Sequence, residues 1–305
     1  MGQSGSQIDW IAVDWGTSNL RAWAMGADGP IHHAESPEGM GKLSRDQFEP
    51  ALLRLIEPWL GTEAMPVIAC GMVGARQGWL EATYRAVPCA PVAAGDLVPV
   101  PTQDARLRVV IVPGLQQPEP ADVLRGEETQ IAGALSLMPH FDGVICLPGT
   151  HSKWAHVSAG EVVSFQTFMT GEMFALLSQQ SVLRHGMAGD GWDQGAFDRG
   201  VDDAFSRPEK IAARLFTLRA EGLLAGLSAD AARARLSGLL IGSELAAAKP
   251  YWLGQRVVLV GAERLAASYA RALAAQSVPS ETLDATACTL SGLATAQGIL
   301  RKATA

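Results

Sequence analysis

Clusters of basic residues, closely spaced cysteines and membrane-length apolar runs are all missing from this chain of 305 residues. With 24 Lys and Arg against 31 Asp and Glu, a formal net charge of -7, it has no positive stripe to lie along a phosphate backbone. That argues against nucleic acid as a partner. Cys70, Cys89, Cys146 and Cys288 form no CxxC pair, which argues against a zinc knuckle or a disulfide framework and points to a reducing cytoplasm. The longest apolar stretch, from Leu236 to Ala248, carries Glu244 and is too short for a bilayer, so no membrane helix and no membrane partner are expected. A secretory apolar region is absent too. The opening MGQSGS fits the literal myristoylation pattern, but six permissive positions match readily by chance, and a short lead is expected instead. No GxxxxGK[ST] occurs, so any phosphate site here is not a Walker loop.

What the chain does contain is an ordinary globular composition, 48% hydrophobic and 18% charged, long enough for two lobes. Strand-like runs at Ile8–Asp14, Leu20–Met25, Val67–Cys70, Val109–Val112, Val144–Leu147, Glu161–Thr167 and Val257–Val260 alternate with helix-length segments. The best of these are Ser44–Leu60, Glu127–Met138, Pro208–Gly222, Ala229–Ala248 and Glu263–Gln276. Alternation of this kind implies an α/β fold. A lobe boundary is expected near residue 140, with a cluster of helices between Glu172 and Lys249 added to the second lobe.

One phrase is written nearly twice. IAVDWGTSNLRAW, from Ile11, and ICLPGTHSKW, from Ile145, each run from a buried-looking strand through Gly-Thr into a hairpin, but only the first has a carboxylate two residues before its glycine. A turn of this type offers consecutive N–H groups and hydroxyls, and its glycine lets a phosphate approach. Gly16, Thr17, Ser18 and Asn19 would cradle a phosphate tail with added charge from Arg21, while Asp14 can hold a hydrated Mg²⁺ through one carboxylate. Gly149, Thr150, His151, Ser152 and Lys153 would close on the same tail from the other lobe. Near the end, VVLVGAERLAASYARAL gives a strand, a glycine turn at Gly261–Ala262 and a helix, the form of an adenosine-binding element. His151 has no second ligand at metal spacing, and His32 and His33, on opposite faces of a strand, receive no role.

These three elements, in this order, resemble those of the actin/hexokinase/heat-shock-ATPase superfamily. Together with ACGMVGARQGW, LRGEETQIAGAL, TFMTGEMFALL and LSGLLIGSEL, they resemble the 2-dehydro-3-deoxygalactonokinase family over nearly the whole chain. The resemblance implies two ribonuclease-H-like lobes, residues 1–140 and 141–287, with a cleft between them that closes over substrate, and a terminal helix, about 288–305, packing back on the first lobe. It implies ATP and Mg²⁺ as cofactors and transfer to the 6-hydroxyl of 2-keto-3-deoxy-galactonate in galactonate breakdown. The proton acceptor it implies is Glu127 or Glu128, at a helix start. First-turn acids complementing the helix dipole are the plainer account of one of them. For the sugar acid it suggests Gly71, Met72, Gly74 and the backbone around Arg76, with Trp79 as a wall, and Thr170, Gly171 and Glu172 at another helix start; a packed turn and an ordinary N-cap are the alternatives. A kinase for the gluconate epimer, a phosphohydrolase of the exopolyphosphatase type, and a sugar-responsive regulator are competing readings. The last is disfavoured because the first strand begins near residue 8. The oligomeric state stays open, a homodimer being one arrangement.

Overall fold

The computed structural model describes residues 7–304; the MGQSGS lead, on which the myristoylation pattern falls, lies outside them. The chain divides into two compact units. One comprises the chain up to Phe141, Ala159–Val163 and the chain from Ala285 on, and the other comprises Asp142–Ser158 and Ser164–Asp284.

The first unit contains β1 (Trp10–Trp15), β2 (Leu20–Gly26), β3 (Gly29–Ser36), α1 (Phe48–Ile56), β4 (Met65–Gly71), β5 (Arg85–Ala86), β6 (Val98–Val100), β7 (Leu107–Ile111), β8 (Leu115–Gln117), β9 (Asp122–Leu124) and α2 (Glu127–Leu137). The main sheet has the order β3-β2-β1-β4-β7-β6, and β5, β8 and β9 make a small separate one. The elements that follow are β10 (Gly143–Leu147), β11 (Ser152–Ser158), β12 (Glu161–Phe168), α3 (Thr170–Gln179), α4 (Gln194–Ser206), α5 (Ile211–Leu224), α6 (Ala229–Ala247), α7 (Lys249–Trp252), β13 (Val257–Gly261), α8 (Glu263–Ala274) and β14 (Ser280–Asp284), before α9 (Ala285–Thr304) returns to the first unit. Their sheet runs β12-β11-β10-β13-β14.

The two sheets share one winding. In each, the leading strand pairs antiparallel with the next (β1 with β2, β10 with β11) and parallel with a strand reached by a crossover (β4, β13), which in turn pairs parallel with a later one (β7, β14). This is the ribonuclease-H-like order, present twice, and it makes the chain an actin-like ATPase fold.

Alternation along β1 settles where its one carboxylate lies. Ile11, Val13 and Trp15 pack on one face against Phe48 and Leu52 of α1. Trp10 and Ala12 pack on the other, with Ala132 of α2 and Leu293 and Ala296 of α9. With a side-chain period of 2, Asp14 belongs to the second face, toward α2.

Two predicted helices are shorter than expected. In Ser44–Leu60 only α1 is α-helical, between 3₁₀ turns at Arg45–Gln47 and Glu57–Trp59. Pro58, with no N–H to donate, sits where the α-helix gives way. Pro208–Lys210 is likewise a 3₁₀ turn, and α5 starts at Ile211. α4 lies within the expected helical block Glu172–Lys249, its start set by the Asp193 carboxylate, which accepts from the Ala196 N–H (2.8 Å).

The crossing of α2 and α9 leaves no room for side chains. A Cβ on Gly133 would lie 1.8 Å from the Cys288 carbonyl oxygen, and one on Gly292 would lie 1.9 Å from that of Thr129. Gly133→Ala is expected to destabilise the protein by about 3 kcal/mol in urea unfolding; a loss under about 1 kcal/mol would show that the crossing opens at little cost.

Candidate active site

In the first unit Asp14, next to the last residue of β1, lies directly opposite Arg21 on β2 and Cys70 on β4. Its carboxylate is ion-paired with the Arg21 guanidinium, and both side chains are partly exposed. The turn that follows is closed by the Gly16 N–H on the Asn19 carbonyl (2.9 Å). The carbonyls of Gly16, Thr17 and Ser18 accept from the N–H groups of Met40, Gly41 and Gly39 at 2.9, 2.9 and 3.2 Å. The 39–41 segment therefore braces the turn from its carbonyl side, while Thr17, Ser18 and Asn19 stay exposed. No sequence motif points to this brace.

Two glycines bring the start of α2 close to Asp14. Gly71 (φ +91°) ends β4, where a Cβ would stand 2.8 Å from the Trp15 carbonyl oxygen and 3.4 Å from an Asp14 carboxylate oxygen. Gly126 (φ +102°) stacks on it, its Cβ position 3.2 Å from the Gly71 Cα. Positive φ and this close approach together require glycine at both positions. Immediately beyond, Glu127 and Glu128 open α2 and fold back on the backbone: a Glu127 oxygen accepts from the Arg125 N–H (2.9 Å) and a Glu128 oxygen from the Gly126 N–H (2.7 Å).

The two carboxyls differ in environment. Glu127 is half-buried. Glu128 is wholly buried and also accepts from the Thr129 hydroxyl (3.1 Å). Burial first, and the neighbouring Glu127 charge second, push the Glu128 carboxyl up to about 8. Burial raises the Cys70 thiol as well, reinforced by the charges of Asp14 and Glu128.

The Gly71–Trp79 segment behaves differently from its expected role. Met72–Gly74 is a 3₁₀ turn, and the Trp79 N–H returns to the Val73 carbonyl (2.9 Å). This return carries the indole inward, so Trp79 is 7% exposed and packs against Trp15 and Phe48 in the core; it is not the wall of an open site. Gly71 and Gly74 are buried backbone contacts, and a Cβ on Gly74 would meet an Arg125 nitrogen at 2.7 Å. Of the expected sugar-acid residues in this segment, Met72 and Arg76 keep exposed surface. Arg125 itself escaped the sequence reading. Its buried guanidinium donates to the Ala82 carbonyl (2.7 Å) and lies 4.2 Å over the Tyr84 ring, tying the 74–84 loop to the start of α2.

In the second unit the repeated turn is shorter than its motif. Because β11 already begins at Ser152, only Gly149, Thr150 and His151 form the loop tip, and Ser152 (0% exposed) and Lys153 (6%) turn into the unit. Ser152 hydrogen-bonds the Tyr269 hydroxyl (2.8 Å), and the Lys153 ammonium donates to the His151 carbonyl (3.0 Å). The side chains of these two residues thus point inward as supports for the loop. Gly171, at the start of α3, packs on the loop so tightly that a Cβ would lie 2.3 Å from the Gly149 carbonyl oxygen. The Glu172 N–H donates to the Thr150 carbonyl (2.9 Å), and its carboxylate meets the His151 ring (2.6 Å). Met169, not Thr170, occupies the N-cap, and the Thr170 hydroxyl donates inward to Glu244. Gly261 closes β13 against Pro148, and exposed Ala262 precedes α8. The expected adenosine element therefore adjoins the second loop.

Among the described residues no set of three or more His, Cys, Asp or Glu could hold a metal, and no helix is long and apolar enough to cross a membrane. The profile of the 2-keto-3-deoxy-galactonokinase family matches residues 14–296. The chain is 39% identical over 295 residues to a Rhizobium meliloti (strain 1021) protein named as a 2-dehydro-3-deoxygalactonokinase, covering 94% of this chain and 96% of that one. With the Escherichia coli (strain K12) protein of that name it shares 34% over 269 residues, 87% of this chain and 89% of the relative. A Sinorhizobium meliloti crystal structure described by the same activity superposes with a TM-score of 0.89 at 38% identity, over 95% of this chain and 99% of that one. With both turns, the α2 carboxyls and the β13–α8 element inside the matched span, the chain belongs to the 2-keto-3-deoxy-galactonokinase family.

Proposed function

We propose that the protein is an ATP-dependent kinase that phosphorylates the 6-hydroxyl of 2-keto-3-deoxy-galactonate in galactonate breakdown, working in a reducing cytoplasm with its four cysteines unlinked. The observation that carries this reading is the 39% identity, over almost the full length of both chains, with a relative named for that activity.

The residues present supply the parts that phosphoryl transfer demands. Thr17, Ser18 and Asn19 in one unit, and Gly149, Thr150 and His151 in the other, offer exposed N–H groups and hydroxyls to phosphate oxygens. Gly261 and Ala262, next to Pro148 of the second loop, are the residues proposed for the nucleoside. Met72 and Arg76 remain for the sugar acid, the arginine matching its carboxylate. Mg²⁺ keeps most of its water and needs one or two protein carboxylates. Asp14 fits that demand, being a single, partly exposed carboxylate near a strand end. Bound there, the ion would neutralise charge on the transferring phosphate. As the sugar oxygen forms its bond to the γ-phosphorus and the bond to the β,γ-bridging oxygen breaks, the hydroxyl proton goes to Glu127. Of the two α2 carboxyls this one reaches solvent, while Glu128 is enclosed and holds its own proton near neutral pH.

The test is ADP formation measured across 2-keto-3-deoxy-galactonate, its gluconate epimer and simple hexoses. The galactonate acid is expected to give the highest kcat/KM. Phosphate release from ATP at a rate unchanged by any acceptor would replace the kinase with a hydrolase.

A further inference from the structure

One buried carboxylate takes no part in that chemistry. Glu244, on α6, is 3% exposed, and among the described residues no charged partner bonds it; neutral donors, Trp154, Tyr269, Thr170 and Ser152, converge on it instead. The Trp154 indole N–H donates to one oxygen (2.8 Å), and the Tyr269 hydroxyl (2.7 Å) and the Thr170 hydroxyl donate to the other. The Tyr269 hydroxyl is bonded in turn to Ser152 (2.8 Å). Desolvation raises the carboxyl's pKa and these hydrogen bonds oppose the rise. Burying such a group is costly unless its bonds are made, so its presence here calls for an account.

The donors come from three elements, β11, α3 and α8. Trp154 and Ser152 start β11, immediately behind the Gly149–His151 tip. Thr170 starts α3, whose Gly171 and Glu172 clasp that tip. Tyr269 lies on α8, which follows Gly261 and Ala262. We propose that Glu244 is a positioning residue that joins the second phosphate loop, the start of α3 and the adenosine-side helix into one arrangement, and that nucleotide affinity depends on its hydrogen bonds. The proposal rests on the kinase reading for the identity of the nucleotide.

Three variants test it, with ADP affinity measured by calorimetry in the presence of Mg²⁺, alongside KM for ATP and for the sugar acid. Glu244→Met keeps the length and removes the acceptors, and it is expected to weaken ADP and raise the ATP KM about tenfold or more. Glu244→Gln should stay within about threefold of the parent, because its carbonyl can accept from Trp154 while its amide donates to hydroxyls able to turn and accept. Tyr269→Phe keeps the ring and deletes one link, and an approximately fivefold loss of ADP affinity is expected with the sugar-acid KM unchanged. Should Glu244→Met fail to fold, the other two decide. ADP affinity within about twofold of the parent in a folded Glu244→Met or in Tyr269→Phe, or an equal rise in both KM values, would overturn the proposal. A parent protein that binds ADP but phosphorylates no sugar acid would instead count against the acceptor assignment and leave the Glu244 test intact.

Discussion

Replacing Asp14 with alanine is expected to lower kcat/KM by about 10³-fold or more if, as proposed, its carboxylate holds the metal at a transferring phosphate. The position is over-determined. Asp14 lies on the α2 face of β1, paired across the sheet with Arg21 and Cys70, and Gly71 stands against its carboxylate. A cation at this place and an arginine compete for the same oxygens. Asp14→Asn, which preserves the shape but not the charge, is therefore expected to lose nearly as much activity and to need more Mg²⁺ for what remains. Steady-state rates across a Mg²⁺ titration provide the measurement. Wild-type kcat in Asp14→Ala would remove the metal assignment outright.

The second large effect separates the paired glutamates. Glu127→Gln is expected to lower kcat by about 10²- to 10⁴-fold, the range for losing a general base, with both KM values little changed. Glu128→Gln should keep kcat within about tenfold and change stability instead. A Glu128 carboxyl at about 8, against 4.5 for the free side chain, means the native state holds a proton that the unfolded chain releases. Its contribution is fully present below pH 4.5 and is lost progressively as pH rises through about 8, so stability falls with pH across that window. The glutamine variant, which has no proton to lose, is expected to unfold at higher denaturant than the parent at pH 8, and its midpoint should vary less between pH 5 and 8. If Glu128→Gln lost activity as Glu127→Gln should, and Glu127→Gln did not, the two roles would be exchanged.

Much of this site is legible in the order of residues alone, and the reason is local. A strand–Gly–Thr–hairpin phrase specifies its own backbone, since the alternation, the glycine and the polar turn all act within about ten residues. The same holds for the β13–Gly261–α8 element and for the acidic opening of α2. The two sheets of one winding and the family membership are legible for the same reason, as ordered local motifs. Helix ends are less so, because Pro58 and Pro208 divert the backbone at places that periodicity does not register.

Which residues inside each motif face outward depends on packing contributed from elsewhere in the chain. Trp79, Ser152 and Lys153 belong to phrases that read as binding loops, yet one returning hydrogen bond and an early strand start turn them into the core. Glu127 and Glu128 are indistinguishable as neighbours in sequence. They differ only because the α2 start is packed under Gly71 and Gly126, which encloses one carboxyl and leaves the other partly exposed. Arg125, the 39–41 brace and the Glu244 network were invisible for the same physical cause: their partners are contributed by segments far away in the chain. Local order in the chain carries the fold, the family and the kind of chemistry; burial, which is a property of the whole packed chain, separates the motif side chains that stay exposed from those enclosed behind them.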